Sequence, residues 1–231
     1  MAEPARPSSG WGVLHLFCRA GPAVDAAAVE GAVAKAHDST CQVVTAAILG
    51  HKADLCILAL SDDLWHLRRL QSAVVAAGLD VATSYVSLTE VSEYAAGMPA
   101  ERVRDRLYPV LPPRGMRAFS FYPMSKRRVP HQNWYELPFD ERKDLMLGHG
   151  SVGRGFAGRV VQLVTGSAGL DDYEWGVTLF ATDPDDLKDV VYAMRFDPAS
   201  ARYADFGPFY AGMVAPVGEI LREVIPLGGD R

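Results

Sequence analysis

The chain has 231 residues, 49% of them hydrophobic and 22% charged, which is enough apolar surface to bury one large core or two smaller ones. A formal charge of −5 gives no general attraction to phosphate backbones or anionic lipid, so neither nucleic acid nor a membrane is an expected partner. The start MAEPARPSSG lacks a signal-peptide pattern, no apolar run approaches the ~20 residues that span a bilayer, and the scattered cysteines Cys18, Cys41 and Cys56 form neither a disulfide framework nor a metal motif; the expectation is a cytoplasmic protein with a flexible tail over 1–9.

Residues 11–18 (WGVLHLFC) are rich in strand formers, and 24–37 (VDAAAVEGAVAKAH) place Ala and Val at helical spacing. QVVTAAILG (42–50) and ADLCILAL (53–60) read as two more strands, Asp62 to Ala77 as an amphipathic helix, and DVATSYVSLTE (80–90) as a closing strand. This βαββαβ order is ferredoxin-like, with two helices on one face of an antiparallel sheet and the other face free. Residues 91–115 then hold a helical-looking stretch, SEYAAGMPAERVRDRLY, and PVLPPRG, whose prolines break regular structure.

The second half repeats the order, with strands over 116–124, 159–166, 172–181 and 206–213 and helices around 138–148 and 184–194. ADLCILAL followed by DDLWHL is echoed by WGVTLFA followed by DDLKDVV. The predicted fold class is therefore α+β, a duplicated ferredoxin-like (βαββαβ) fold of the dimeric α/β-barrel type. It divides into an N-terminal subdomain over 10–95, a linker over 96–115 and a C-terminal subdomain over 116–231. Joining the two sheets across their free faces would bury the remaining apolar stripes.

The residues able to carry chemistry lie mainly in the second half. FYPMSKRR (121–128) ends a strand in Tyr122, Met124 and three bases; it reads either as a strand with an exposed basic end or as an anion site beside a redox-capable phenol. HGSVGRGFAGR (149–159) places His149 after a predicted helix, among glycines that permit close approach by another surface. His149 reads either as an ordinary satisfied histidine or as an axial haem ligand. The glycines form neither nucleotide-binding pattern, the other histidines show no zinc-hydrolase spacing, and there is no G-x-S-x-G elbow. MRFDPASARYADFGPF adds aromatics with Arg195, Ser200 and Arg202.

Taken in order, FYPMSKRR, NWYELPFDERKDLMLGHGSVGR, RVVQLVTGSAGLDDYEWGVTLFA and MRFDPASARYADFGPF resemble the coproheme decarboxylases of Gram-positive bacteria, within the chlorite dismutase superfamily, over most of residues 85–213. The resemblance implies a homopentamer of duplicated ferredoxin-like chains. It implies hydrogen-peroxide-dependent decarboxylation of the 2- and 4-propionates of iron-coproporphyrin III (coproheme) to vinyls, giving haem b, with coproheme serving as both substrate and redox cofactor. A ferrochelatase that supplies coproheme is an implied transient partner.

Residue by residue, His149 matches the iron ligand and Tyr122 the tyrosine that becomes a phenoxyl radical. Lys126 matches the lysine that steers the 4-propionate, with Met124 between them on the same strand face. Arg106, Tyr85 and Ser200 match propionate-binding residues. Gln162 matches a distal glutamine where true chlorite dismutases carry arginine; a neutral amide disfavours chlorite, which a cation would hold by charge. The competing readings are a chlorite dismutase or haem peroxidase, a non-catalytic haem carrier, and a ferredoxin-like dimer without porphyrin.

Overall fold

The computed structural model describes residues 3–38 and 41–225; the outermost residues of the expected tail (1–2) and of the expected C-terminal subdomain (226–231) lie outside that description. The first unit runs β1 (Gly12–Arg19), α1 (Ala26–Asp38), β2 (Gln42–Ile48), β3 (Leu55–Ser61), α2 (Leu64–Ala76) and β4 (Asp80–Thr89). Helix α3 (Ala100–Leu107) occupies the linker. The second unit opens with β5 (Ala118–Lys126), the short hairpin β6 (Arg128–Val129) and β7 (Gln132–Asn133), and a 3-10 turn at Trp134–Glu136. It continues with α4 (Phe139–Arg154), β8 (Val160–Gly166), β9 (Trp175–Ala181), α5 (Pro184–Met194), α6 (Pro198–Tyr203), β10 (Ala204–Phe206), β11 (Tyr210–Val214) and α7 (Val217–Val224).

The strands pair antiparallel in the order β11-β2-β3-β1-β4-β8-β9, and β5 closes the ring by pairing with both β9 and β11. Each half has the order of a ferredoxin-like sheet, and the two sheets join edge to edge into one barrel. The join at β4 and β8 is short, covering only Leu88↔Gly166 and Thr89↔Thr165. Just beyond it the Val86 N–H donates to the Asp171 carboxylate at 2.8 Å, so a side chain replaces the missing ladder partner.

Strand alternation sends one set of residues into the barrel and the other set outward. Val13, Phe17, Leu58, Leu60, Phe119, Phe121 and Phe180 fill the interior, each buried aromatic or branched side chain contributing about 2–3 kcal/mol. Outward-facing Leu14, Leu16, Leu55 and Ile57 meet Val29 and Val33 of α1 and Leu67, Leu70 and Val74 of α2. These helix residues recur at 3 to 4 positions, the spacing that places them on one face. Asp63 caps α2 by accepting the Trp65 N–H at 3.0 Å.

Away from the candidate site, the structure departs from the sequence reading at three places. Ala5, in the expected tail, is bonded through its N–H to Asp63 and through its carbonyl to Leu64, so that stretch lies along the start of α2. Helix α7 packs its Val217, Ile220 and Leu221 into the core of the first half, although its sequence lies in the second. The strand expected over 206–213 is divided into β10 and β11 by Gly207-Pro208-Phe209, because proline has no N–H to give to the ladder.

Candidate functional site

On β5, Tyr122, Met124 and Lys126 alternate with Phe119 and Phe121. The first two belong to an outer cluster with Val177, Leu179, Val190, Phe206 and Phe209, while the phenylalanines lie inside the barrel. Tyr122 is 7% exposed, its ring stacked on Phe209 at 4.5 Å between centroids and set edgewise to Phe206 at 5.6 Å. Burial pushes its phenol up to about 12, with the positive charge of Arg195 acting in the opposite direction. The phenol therefore stays protonated at neutral pH and holds a transferable hydrogen.

Lys126 ends the same strand face and is itself buried. Its Nζ donates to the Ala199 carbonyl at 3.3 Å and sits 4.0 Å from the ring centroid of Trp134. Its backbone N–H donates to the Glu174 carboxylate at 2.7 Å. Burial brings the ammonium down to about 8, and the carboxylates of Asp197 and Glu174 oppose the shift. A carbonyl and an indole face steady this cation without neutralising it, which leaves it receptive to an incoming carboxylate.

His149 lies inside α4, where the sequence reading placed it just after a helix. The helix runs on through Gly148, Gly150 and Gly153 because packing against α5 and α6 outweighs their low propensity. A Cβ on Gly153 would lie 3.2 Å from Met194 Cε, so the missing side chain there brings the two helices close. His149 Nδ1 is 2.8 Å from Asp197 Oδ2, and the Asp197 side chain is 1% exposed. The same carboxylate accepts the Ser200 N–H at 3.0 Å and caps α6, while Ser200 Oγ lies 3.4 Å from Nδ1. A carboxylate oxygen accepts here, so in the neutral ring the proton sits on Nδ1 and Nε2 is the nitrogen left free to bind a metal.

Tyr122, Met124, Lys126, His149 and Ser200 are thus gathered on β5, α4 and α6, with Ala199 and Asp197 bridging Lys126 to His149. Gln162 is exposed on β8 and shares a strand face with Val160 and Val164 of the Tyr122 cluster. Arg106 is exposed at the end of α3 and its side chain, among the described residues, makes no hydrogen bond or ion pair. Tyr85 departs from its expected place: its ring lies in the barrel-interior cluster and its hydroxyl is bonded to Ser167. By strand parity it faces away from Tyr122.

Asp197, Glu174 and Trp134 escaped the sequence reading. Asp197-Pro198 carries a helix-start signal, but the partnership with His149, 48 residues away, has no local signature. Trp134 and Glu174 serve Lys126 only because the chain returns to the end of β5.

The chlorite dismutase family profile matches residues 23–215. The chain belongs to the chlorite dismutase family. It is 46% identical over 179 residues to the coproheme decarboxylase of Staphylococcus carnosus, covering 73% of this chain and 71% of that protein. It is 50% identical over 182 residues to a Natronomonas pharaonis protein with a provisional heme-binding name, covering 71% of this chain but only 30% of that relative's length. Among solved structures, a heme-binding protein from Thermus thermophilus superposes with a TM-score of 0.83 at 34% identity, over 96% of this chain and 98% of that one. A mutant chlorite dismutase from Candidatus Nitrospira defluvii shares the fold at a TM-score of 0.77 and 19% identity, over 94% of this chain and 97% of that one.

The residues present fit an iron porphyrin. A family member binding one here would offer it a neutral imidazole held by a buried carboxylate, an apolar wall and a carboxylate-receptive lysine, the features that an iron centre, a flat macrocycle and ionised propionates each require. Among the described residues, no helix is long and apolar enough to cross a membrane.

Proposed function

We propose that this chain is a coproheme decarboxylase: it binds iron-coproporphyrin III through His149 Nε2 and, with hydrogen peroxide, converts the 2- and 4-propionates to vinyls, leaving haem b. The observation that carries the reading is the sharing of one strand face by a buried, protonated phenol (Tyr122) and a buried ammonium (Lys126), beside a carboxylate-held histidine. The 46% identity to a named coproheme decarboxylase supports it.

When bound, the iron supplies the two-electron reduction of peroxide. Lys126 and Ser200 orient propionate, and the apolar wall of Val177, Leu179 and Phe209 excludes water from the reacting edge. Tyr122, once oxidised to its phenoxyl radical, takes a hydrogen atom from a propionate β-carbon and becomes a phenol again. Loss of one further electron from that carbon, to the second oxidising equivalent of the peroxide, lets the bond between the α-carbon and the carboxylate break, its electron pair forming the vinyl double bond as carbon dioxide leaves. Each vinyl formed consumes one propionate, one peroxide and one proton and yields one carbon dioxide and two waters, so the step balances.

Met124 borders the propionates on the strand face between Tyr122 and Lys126. Arg106 stays in the reading as a peripheral anion contact. Tyr85 does not, because its hydroxyl is already bonded within the barrel. Chlorite is the alternative substrate that the family name raises; the neutral amide of Gln162 speaks against it. A cytoplasmic homopentamer that receives coproheme from a ferrochelatase completes the reading, and the exposed apolar residues Leu49, Val110, Tyr192 and Phe196 fit further burial in an assembly.

The test is to load the protein with ferric coproheme, add peroxide stepwise and follow the porphyrin by mass spectrometry. Two successive losses, each of one carboxyl with its hydrogen, are expected. Tyr122→Phe keeps the ring without the O–H and should bind coproheme normally while losing at least roughly 100-fold in conversion. Wild-type turnover in that variant would remove the radical role, and tight binding without conversion in the wild type would favour a carrier.

A further inference from the structure

Strands β10 and β11 lie end to end along one edge of β5, so Gly207-Pro208-Phe209 crosses a gap in the ladder. The Gly207 N–H donates to the Pro123 carbonyl at 2.8 Å, and its Cα sits so close to Tyr173 and Pro123 that a side chain would collide with both. That anchors one end of the crossing. At the other end, the Phe209 carbonyl accepts Lys52 Nζ at 2.6 Å.

Lys52 comes from the first half of the chain, in the loop between β2 and β3. The loop is docked there by Leu49, whose N–H donates to the Ala211 carbonyl at 2.8 Å. Lys52 Nζ also lies 5.4 Å from the ring centroid of Tyr210. The Phe209 ring is stacked on Tyr122, with 27° between the ring planes. Among the described residues the Tyr122 hydroxyl has no hydrogen-bond partner, so apolar packing sets the plane of the phenol, and Phe209 is the ring stacked on its face.

We propose that Lys52 is a positioning residue for Tyr122: its ammonium fixes the Phe209 carbonyl, and the Phe209 ring in turn fixes the phenol. The first half of the chain thereby contributes to the site through a contact that reaches the phenol only by way of Phe209. The role of this contact in turnover rests on the function proposed above; the contact itself does not.

Lys52→Met keeps the apolar stem and removes the charge and the donor, and Lys52→Arg keeps both. In the porphyrin-free protein, 3-fluorotyrosine labelling with 19F NMR reads the stack directly, the Tyr122 signal being the one lost in Tyr122→Phe. Lys52→Met should move that signal as the ring current of Phe209 is lost, and Lys52→Arg should restore it. With coproheme loaded, Lys52→Met should lower the rate of the first decarboxylation about tenfold with coproheme affinity unchanged. It should also alter the β-proton splitting of the Tyr122 radical trapped after peroxide addition, because that splitting reports the ring dihedral. An unmoved 19F signal, or a moved signal with wild-type rate and splitting, would overturn the proposal. If the wild type converts no coproheme, the functional reading fails alone and the 19F result still decides whether Lys52 sets the ring.

Discussion

At the scale of residues, the site depends on charges that are buried but left incompletely paired. Asp197 gives its carboxylate to His149 Nδ1 and to the Ser200 N–H at once, so one buried anion fixes both the tautomer of the histidine and the start of α6. Asp197→Ala should therefore weaken coproheme binding about 10- to 100-fold; an absorbance titration that gives the wild-type Kd would refute this. Lys126 carries a different consequence. Burial lowers it to about 8, so the free protein loses this cation as pH rises through 8, and carboxylate binding should weaken over that interval. A bound propionate favours the charged form and resists the loss. Coproheme affinity measured from about pH 7 to 9 should fall for the wild type, fall much less for Lys126→Arg, whose charge persists, and start lower without that dependence for Lys126→Met.

At the scale of elements, strand alternation and glycine spacing decide which groups meet. The period of two on β5 sends Tyr122, Met124 and Lys126 outward and Phe119 and Phe121 into the barrel; a one-residue slip would exchange the two sets. Gly212 on β11 holds the other join of the barrel, paired with Ile48 of β2 on one side and Phe119 of β5 on the other. A Cβ there would drive into the Ala47 carbonyl, and backbone yields less readily than a side chain. Gly212→Ala should cost roughly 1–3 kcal/mol, read as a lower midpoint in urea with an unchanged slope; a wild-type midpoint would show that the join relaxes freely.

At the scale of the whole molecule, polar pairs inside the barrel tie the halves together. His15 of β1 meets Thr178 of β9 at 2.9 Å, Ser87 of β4 donates to Thr165 of β8 at 2.8 Å, and Tyr85 meets Ser167. His15 is fully buried, its Nδ1 has no partner among the described residues, and burial holds its imidazole down at about 3. In the unfolded chain the same group titrates near about 6.5. The folded state is thus favoured by neutral His15 above about pH 6.5, and that contribution is lost as pH falls from about 6.5 toward 3, because the unfolded chain binds the extra proton. Between about pH 6.5 and 4 the loss should reach about 3 kcal/mol at most. Urea unfolding of the wild type and of His15→Gln across that range tests it, since the variant should lose less stability on acidification; identical acid sensitivity would move the cause to other groups.

Much of this molecule was legible in the sequence because it rests on local rules. Hydrophobic period gave both βαββαβ units, even spacing gave the shared face of Tyr122, Met124 and Lys126, and the order of motifs gave the family. Local rules could not say which strand edges meet to close the barrel that the duplicated pattern implied, since edge pairing joins residues far apart in the chain, nor that Tyr85 points into that barrel. They ended a helix before the glycines around His149, where packing against α5 and α6 carries it on to Arg154. The links of Asp197 to His149 and of Lys52 to Phe209 came only from the tertiary structure. Propensity and period act over a few residues, whereas a buried charge or an unpaired carbonyl takes whichever partner the closed fold brings within hydrogen-bond reach.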